Sequence, residues 1–183
     1  GDPVFRYDSR IERFVLRQGG HDAEISGIEG ADPAGWFVAD GNSAVVAYES
    51  RPSPVELPAA KFEVYLPRYG LEWGIAARAR EGDRDEPGRE RFSRCAKAVL
   101  AGPQASGAAS RPLGLRYEIV PSGDPSFSSS LRGRVLYEGE PVSGALVTAT
   151  LRDDPYHHVQ PRSDAAGAFA FPLRRWGVWL ITS

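Results

Sequence analysis

The chain has 183 residues, of which 42% are hydrophobic and 25% charged, with a net charge of -2. That length fits one domain or two small ones with a real core, in an ordinary globular composition. A pI of about 6.0 excludes a global basic field for nucleic acid, and no apolar run is long enough to span a bilayer as a helix.

Glu12 to Arg17 reads as a strand with Phe14 and Leu16 on one alternating face, and Ala23 to Ile28 as a second short one. Gly30 to Gly35 is a loop around an Asp-Pro turn start. Ser43 to Glu49 is β-branched and aromatic and lies between turn residues, which predicts a strand. Residues 58–66 read as a helix. Pro58 suits its first position, and Phe62, Tyr65 and Leu66 recur at helical spacing. Pro67 should stop it. Residues 71–80 read as a second helix, with Leu71, Ile75 and Ala79 in line. The pair is a helical insertion expected to bury Phe62, Leu66, Leu71 and Ile75 against the sheet of a first domain.

Arg78 to Arg94 mixes both charge signs densely and reads as a solvated surface. Phe92 to Leu100 fits a helix and a strand about equally well, and periodicity does not decide between them. Gly102 to Pro112 is built of Gly, Ala, Ser and Pro apart from Gln104 and Arg111, and reads as an exposed linker or inter-strand loop.

Beyond it, Leu115 to Val120, Leu131 to Tyr137, Gly144 to Leu151, Ala168 to Phe171 and Gly177 to Thr182 alternate as short strands between turns. Such spacing predicts a sandwich. Val135, Tyr137, Val147, Phe169, Phe171 and Leu180 are the expected inward set, with Leu136, Ala168 and Ala170 facing outward or toward the first domain. The fold class is therefore mostly β: two β-sandwich-like (Ig-like) domains, 1–112 with the helical insertion near 58–80, and 113–183. There is no Met, residues 1–6 do not form a signal peptide, and Val178 to Thr182 still reads as strand at the end. A processed form, or part of a longer chain, is expected.

Val135 to Val147, with Pro141 and Gly144 in its turn, resembles the opening hairpin of carboxypeptidase-regulatory-like and transthyretin-like sandwiches. Ser163 to Phe169 resembles their later "T-D-x-x-G-x-F" turn, in which Asp164 can bond the backbone two residues on and Gly167 supplies an unusual dihedral. More widely, Gly30 to Gly35, Val46 to Ser50, Val55 to Phe62, Tyr65–Leu66 with Gly70 to Glu72, Arg89 to Ala98 and Trp179 to Ile181 resemble the NikM-like family of exported bacterial proteins. The resemblance covers nearly the whole chain. It implies a periplasmic or otherwise extracytoplasmic protein that accompanies nickel and cobalt uptake, with a transporter or other membrane complex as partner. Two family features are absent here: an "H-D-F-W"-like strand near the mature N-terminus and a "V-H-M"-like segment after the final strand.

The candidate metal ligands are His157, His158 and Asp154, in the stretch Asp153 to Gln160. Two imidazoles beside two carboxylates suit a borderline divalent cation such as Ni²⁺ or Zn²⁺, and the resemblance implies Ni²⁺ or Co²⁺. Adjacent residues on an extended chain point to opposite sides, however, and no H-x-x-x-H or C-x-x-C spacing occurs, so a polar hairpin loop is the favoured reading. The single Cys95 has no His near it in sequence and reads as a small buried hydrophobe. There is no G-x-S-x-G, and no catalytic constellation is expected. Trp36, Trp73, Trp176 and Trp179 suggest a sugar-stacking platform or, more simply, core and rim packing. The function expected is a non-enzymatic exported binding or accessory protein associated with transition-metal handling. The alternative is a structural subunit of a membrane-associated complex that docks through its sandwich domains.

Overall fold

The computed structural model describes residues 3–103, 107–125 and 128–183, and of His157 the backbone alone. After a 3-10 turn at Asp8–Arg10 come β1 (Ile11–Gln18), β2 (His21–Glu24), β3 (Ala44–Ser50) and β4 (Ser53–Leu57). Then follow α1 (Ala59–Arg68), α2 (Glu72–Glu81), β5 (Gly88–Phe92) and β6 (Cys95–Leu100). The remainder is β7 (Tyr117–Pro121), β8 (Ser130–Tyr137), β9 (Glu140–Pro141), β10 (Thr148–Leu151), β11 (Asp154–Val159), β12 (Ala168–Pro172) and β13 (Trp179–Thr182). The chain is mostly β, with two helices inserted between clusters of sheet.

The first sheet has the order β2-β1-β3-β6 and is antiparallel throughout. Its central strand β3 is the apolar run expected from sequence, and it is covered on both faces. Val45 and Ala47 join Val15 in one core, while Ala44 joins Leu16 and Ile25 in another. The ambiguous segment 92–100 is settled by β3: β6 pairs with it through Val45↔Val99 and Ala47↔Lys97, so Cys95, Lys97 and Val99 turn inward. A free strand edge offered a backbone partner for every second group, which a helix could not use.

Both helices form where the spacing predicts them. α1 runs one residue past Pro67 and turns at Gly70, whose φ is 76°. Of the four residues expected to be buried, only Leu66 is fully so, and Phe62, Leu71 and Ile75 are half-buried. The two helices form the connection between the paired strands β4 and β5, and α1 rests on that pair through Phe62. Phe62 lies so close over Gly88 that a Cβ there would come within 2.1 Å of its ring. That strand pair escaped the sequence reading because β5 lies in the charge-rich stretch. Arg89 and Arg91 point outward and only Glu90 and Phe92 inward.

In the last third, sheet β12-β8-β7, with β9 on β8, faces sheet β11-β10-β13. Leu131, Val135, Phe169 and Phe171 from one side meet Val147 and Ala149 from the other, which is the packing of a β-sandwich. The turn at Asp164 forms as its residues indicate: Asp164 Oδ1 accepts from the N–H groups of Ala166 and Ala168, and Gly167 has φ 70°.

Two members of the expected inward set are corrected. Tyr137 is 49% exposed at the end of β8, and Leu180 is 62% exposed. On β13 it is Trp179 and Ile181 that face the core, because β10 pairs Leu151↔Trp179 and Ala149↔Ile181. Leu136 is buried on the opposite face of β8, level with Glu118 of β7 and toward the first half of the chain.

The stretch 102–112 is a loop between β6 and β7, and its residues 104–106 lie outside the described ones. It is tied down at both ends. Gly102 N–H donates to Ser43 Oγ, and Ala109 is 3% exposed in the core of Val15, Val45 and Ala47, together with Leu113 and Leu115. One hydrophobic core thus draws on residues from both sides of position 112.

Candidate functional site

The three candidate metal ligands lie on β11, at an edge of its sheet. The segment read as a loop is extended because Ala149↔Val159 and Thr150↔His158 pair it to β10, with a register break before Leu151↔Asp154. His158 is exposed there, and the side chain of His157 lies outside the described residues. Asp154 is engaged with a guanidinium: its Oδ2 accepts from Arg175 Nη1. Among the described residues no three His, Cys, Asp or Glu side chains gather closely enough to share an ion. The structure therefore brings Asp154 to Arg175 and leaves His158 facing solvent.

The densest polar cluster stands at the junction of the two halves, and sequence reasoning missed it. Glu118 is 2% exposed. Its carboxylate accepts from three consecutive backbone N–H groups, Leu113 at 2.7 Å, Gly114 at 2.8 Å and Leu115 at 3.2 Å, and from Lys97 Nζ at 2.9 Å. Burial pulls the Lys97 ammonium below the ordinary lysine range, and the bond to Glu118 opposes that shift without cancelling it. Nearby, Arg13 donates to the Leu113 carbonyl, and Arg17 Nη1 donates to the carbonyls of Arg111 and Pro112. Arg17 also clamps Asp22 through two bonds of 2.6 and 2.8 Å, which holds the Asp22 carboxyl below the usual range. Glu49 accepts from Arg116 N–H. Arg13, Arg17 and Glu49 thus tie the backbone of 111–116 to the first sheet, and Glu118 links the same segment to Lys97 of β6. Glu118 gave no signal in sequence, because alternation alone does not say which face of β7 meets the rest of the molecule.

Cys95 is half-buried beside the same core, and burial pushes its thiol up from the ordinary value. A raised thiol pKa lowers the thiolate fraction, which is the nucleophilic form. The tryptophans divide. Trp179 packs in the sandwich, whereas Trp36, Trp73 and Trp176 stand exposed, and Tyr156 with them. Arg162 joins the helical pair to the sandwich by donating to Glu72 at 2.6 Å and to the Gly144 carbonyl at 2.8 Å. No described helix is long and apolar enough to cross a membrane.

Comparison with curated proteins and with solved structures gave no match. A family model described as "Domain of unknown function (DUF4198)" matches residues 17–183. The match takes in both halves of the chain, the helical insertion and the junction between them, which is the span over which the sequence resembles the NikM-like group. The chain belongs to the DUF4198 family.

Proposed function

We propose that this protein is a non-enzymatic, exported accessory protein that works by contact with a larger membrane-associated assembly. The carrying observation is how its groups are distributed. Buried charge is committed within the fold, Glu118 to backbone N–H groups and Lys97 to Glu118, while large apolar side chains stand on the surface. On the helical pair, Val64 and Trp73 are 70% and 71% exposed, and Lys61 and Arg68 are exposed beside Val64 on α1. Exposed apolar groups with a polar rim mark contact surfaces. Membership of the family supports an exported accessory role, with periplasmic location and nickel or cobalt uptake as the setting its resemblance implies. Tagged full-length protein should co-purify with transporter subunits from detergent-solubilised membranes, and the variant Val64→Asp/Trp73→Ala should lose them. Elution of the unmodified chain alone, at monomer size, would overturn the reading.

A second reading is that the protein itself holds Ni²⁺ or Co²⁺ through His157, His158 and Asp154. The exposure of His158 on β11 favours it, and the Asp154–Arg175 pair opposes it. Calorimetric titration with each metal decides: one-to-one binding lost in His157→Ala/His158→Ala supports it. Its absence removes the metal and leaves the contact reading standing.

A further inference from the structure

The outer face of sheet β12-β8-β7 is open on its β8–β12 side. Burial alternates along β8: Leu131, Gly133 and Val135 turn into the sandwich, and Arg132 and Arg134 between them are exposed. The two arginines therefore share one face, two residues apart, with roughly 7 Å between their positions on the strand. The register sets Ala168 of β12 beside Arg134 and Ala170 beside Arg132, and both neighbours are too small to cover a guanidinium. Toward β7 the face is closed: Val120, opposite Arg134, is buried, and so is Leu136.

Neither Arg132 nor Arg134 forms an ion pair or a hydrogen bond among the described residues. Elsewhere in the same half, Arg152, Arg162 and Arg175 each hold a carboxylate. Asp164, in the turn before β12, is bonded to the N–H groups of Ala166 and Ala168 instead. Arg174, past the end of β12, adds a further exposed cation at that end of the strand. Two like charges held side by side repel, and an anion that meets both relieves the repulsion.

β12 is also the edge strand of its sheet. At the two ends of its ladder with β8, Val135 N–H donates to the Gly167 carbonyl at 2.9 Å and Leu173 N–H to the Ser129 carbonyl at 2.8 Å. Bonded and non-bonded pairs alternate in an antiparallel ladder, so Phe169 and Phe171 bond β8, and the N–H and C=O of Ala170 point to the open side. Ala168 is already engaged: its N–H donates to Asp164 Oδ1 and its carbonyl accepts from Asp164 N–H. Pro172 has no N–H to offer. The free edge is thus short, and is made of both main-chain groups of Ala170 and the Pro172 carbonyl.

A short extended segment fits both features. Its alternate side chains repeat at the spacing of Arg132 and Arg134, and its backbone can pair with Ala170. From that side two strand spacings, roughly 10 Å, separate it from β8, and a glutamate and an arginine reaching toward each other over the alanines close the gap. The guanidinium fork matches a carboxylate in geometry as well as charge. The row of Ala168, Ala170, Pro172 and the two arginines carries no large apolar side chain to enter a bilayer and no aromatic ring to stack on a base.

We propose that the β8–β12 face docks an extended acidic segment of a partner protein, which pairs with the β12 edge at Ala170 and sets carboxylates at alternate positions on Arg132 and Arg134. The surface involves neither Val64 nor Trp73, so it holds or fails apart from the contact proposed for the helical pair.

The test is titration of the full chain into a fluorescein-labelled peptide of alternating Glu and Thr, followed by anisotropy at low salt. Saturable binding is expected. Arg132→Gln and Arg134→Gln should each weaken it roughly two- to fivefold, the usual effect of an exposed ion pair, and the double variant roughly tenfold. The counterpart peptide of alternating Gln and Thr should not bind. Arg68→Gln, which removes an exposed arginine of α1, should bind as the parent does. Both platform side chains are exposed and unpaired, so thermal unfolding of the variants should match the parent. Hydrogen exchange followed by NMR should show the Ala170 amide slowed by the acidic peptide. The proposal is overturned by absence of binding, by binding that survives Arg132→Gln/Arg134→Gln, by equal loss in Arg68→Gln, or by unchanged Ala170 exchange at saturating peptide. Heparin or phosphatidylglycerol vesicles bound through the two arginines, with the peptide unbound, would overturn it in favour of another anion.

Discussion

Glu118 carries more of the fold than any other charged residue here. Its carboxylate satisfies the buried N–H groups of Leu113 and Leu115, the part-buried N–H of Gly114 and the part-buried Lys97 ammonium, so Glu118→Ala strands all four at once. Losing one side of a buried charged network costs about 3–5 kcal/mol. Lys97→Met should cost clearly less, because the three N–H bonds to the carboxylate remain and the methionine fills the same space. Urea denaturation of the two variants side by side measures the difference, and equal losses would show that the ammonium rather than the loop N–H groups is the main partner. Cys95 makes a pH prediction. Burial raises its thiol pKa, so the folded chain binds that proton more tightly than the unfolded chain. The resulting stabilisation is whole below the ordinary thiol pKa and is lost as pH rises through the raised value. At pH 8, alkylation by iodoacetamide should be several-fold slower in the native protein than in urea. Equal rates would mean an accessible, unperturbed thiol.

At the scale of the element, strand register separates what alternation shows from what it leaves open. On β12, Phe169 and Phe171 face the core with Val135 and Val147, as the period of two indicates. On β13 the same reasoning selects Leu180, yet the pairing Ala149↔Ile181 sends Trp179 and Ile181 inward. Every residue from Trp179 to Ile181 is large and apolar, so a one-residue slip leaves the pattern as plausible as before. Phe169→Ala should therefore cost about 3–5 kcal/mol and Leu180→Ala no more than about 0.5 kcal/mol by chemical denaturation. The reverse order would place β13 in the other register. β6 and β11 show a related limit. Each becomes a strand because β3 or β10 presents an edge to it, a fact stored in residues about 50 and about 10 positions away, respectively.

For the whole molecule, the question is whether the two halves are separate units. Composition places a boundary at 112, since few residues of 102–112 could anchor a core. In the structure, Ala109, Leu113 and Leu115 complete the core begun by Val15, Val45 and Ala47. Glu118 and Lys97 bond across the same junction. A chain built this way should unfold in one cooperative transition. Calorimetry and tryptophan fluorescence should give coincident midpoints, and two resolved transitions would show independent domains.

The sequence by itself determined the mostly-β class, both helices, the Asp164 turn and the four-residue heart of the sandwich core. Each of these depends on local spacing: a period of two, a period of 3.6, or a turn residue at a fixed offset. Tertiary structure alone decided the β4–β5 support under Phe62, the inward turn of Trp179 and the burial of Glu118. It also decided the pairing of Asp154 with Arg175. In each of these the partners lie apart in sequence. Which of them meet depends on how the strands pair and which face of each sheet the rest of the chain covers.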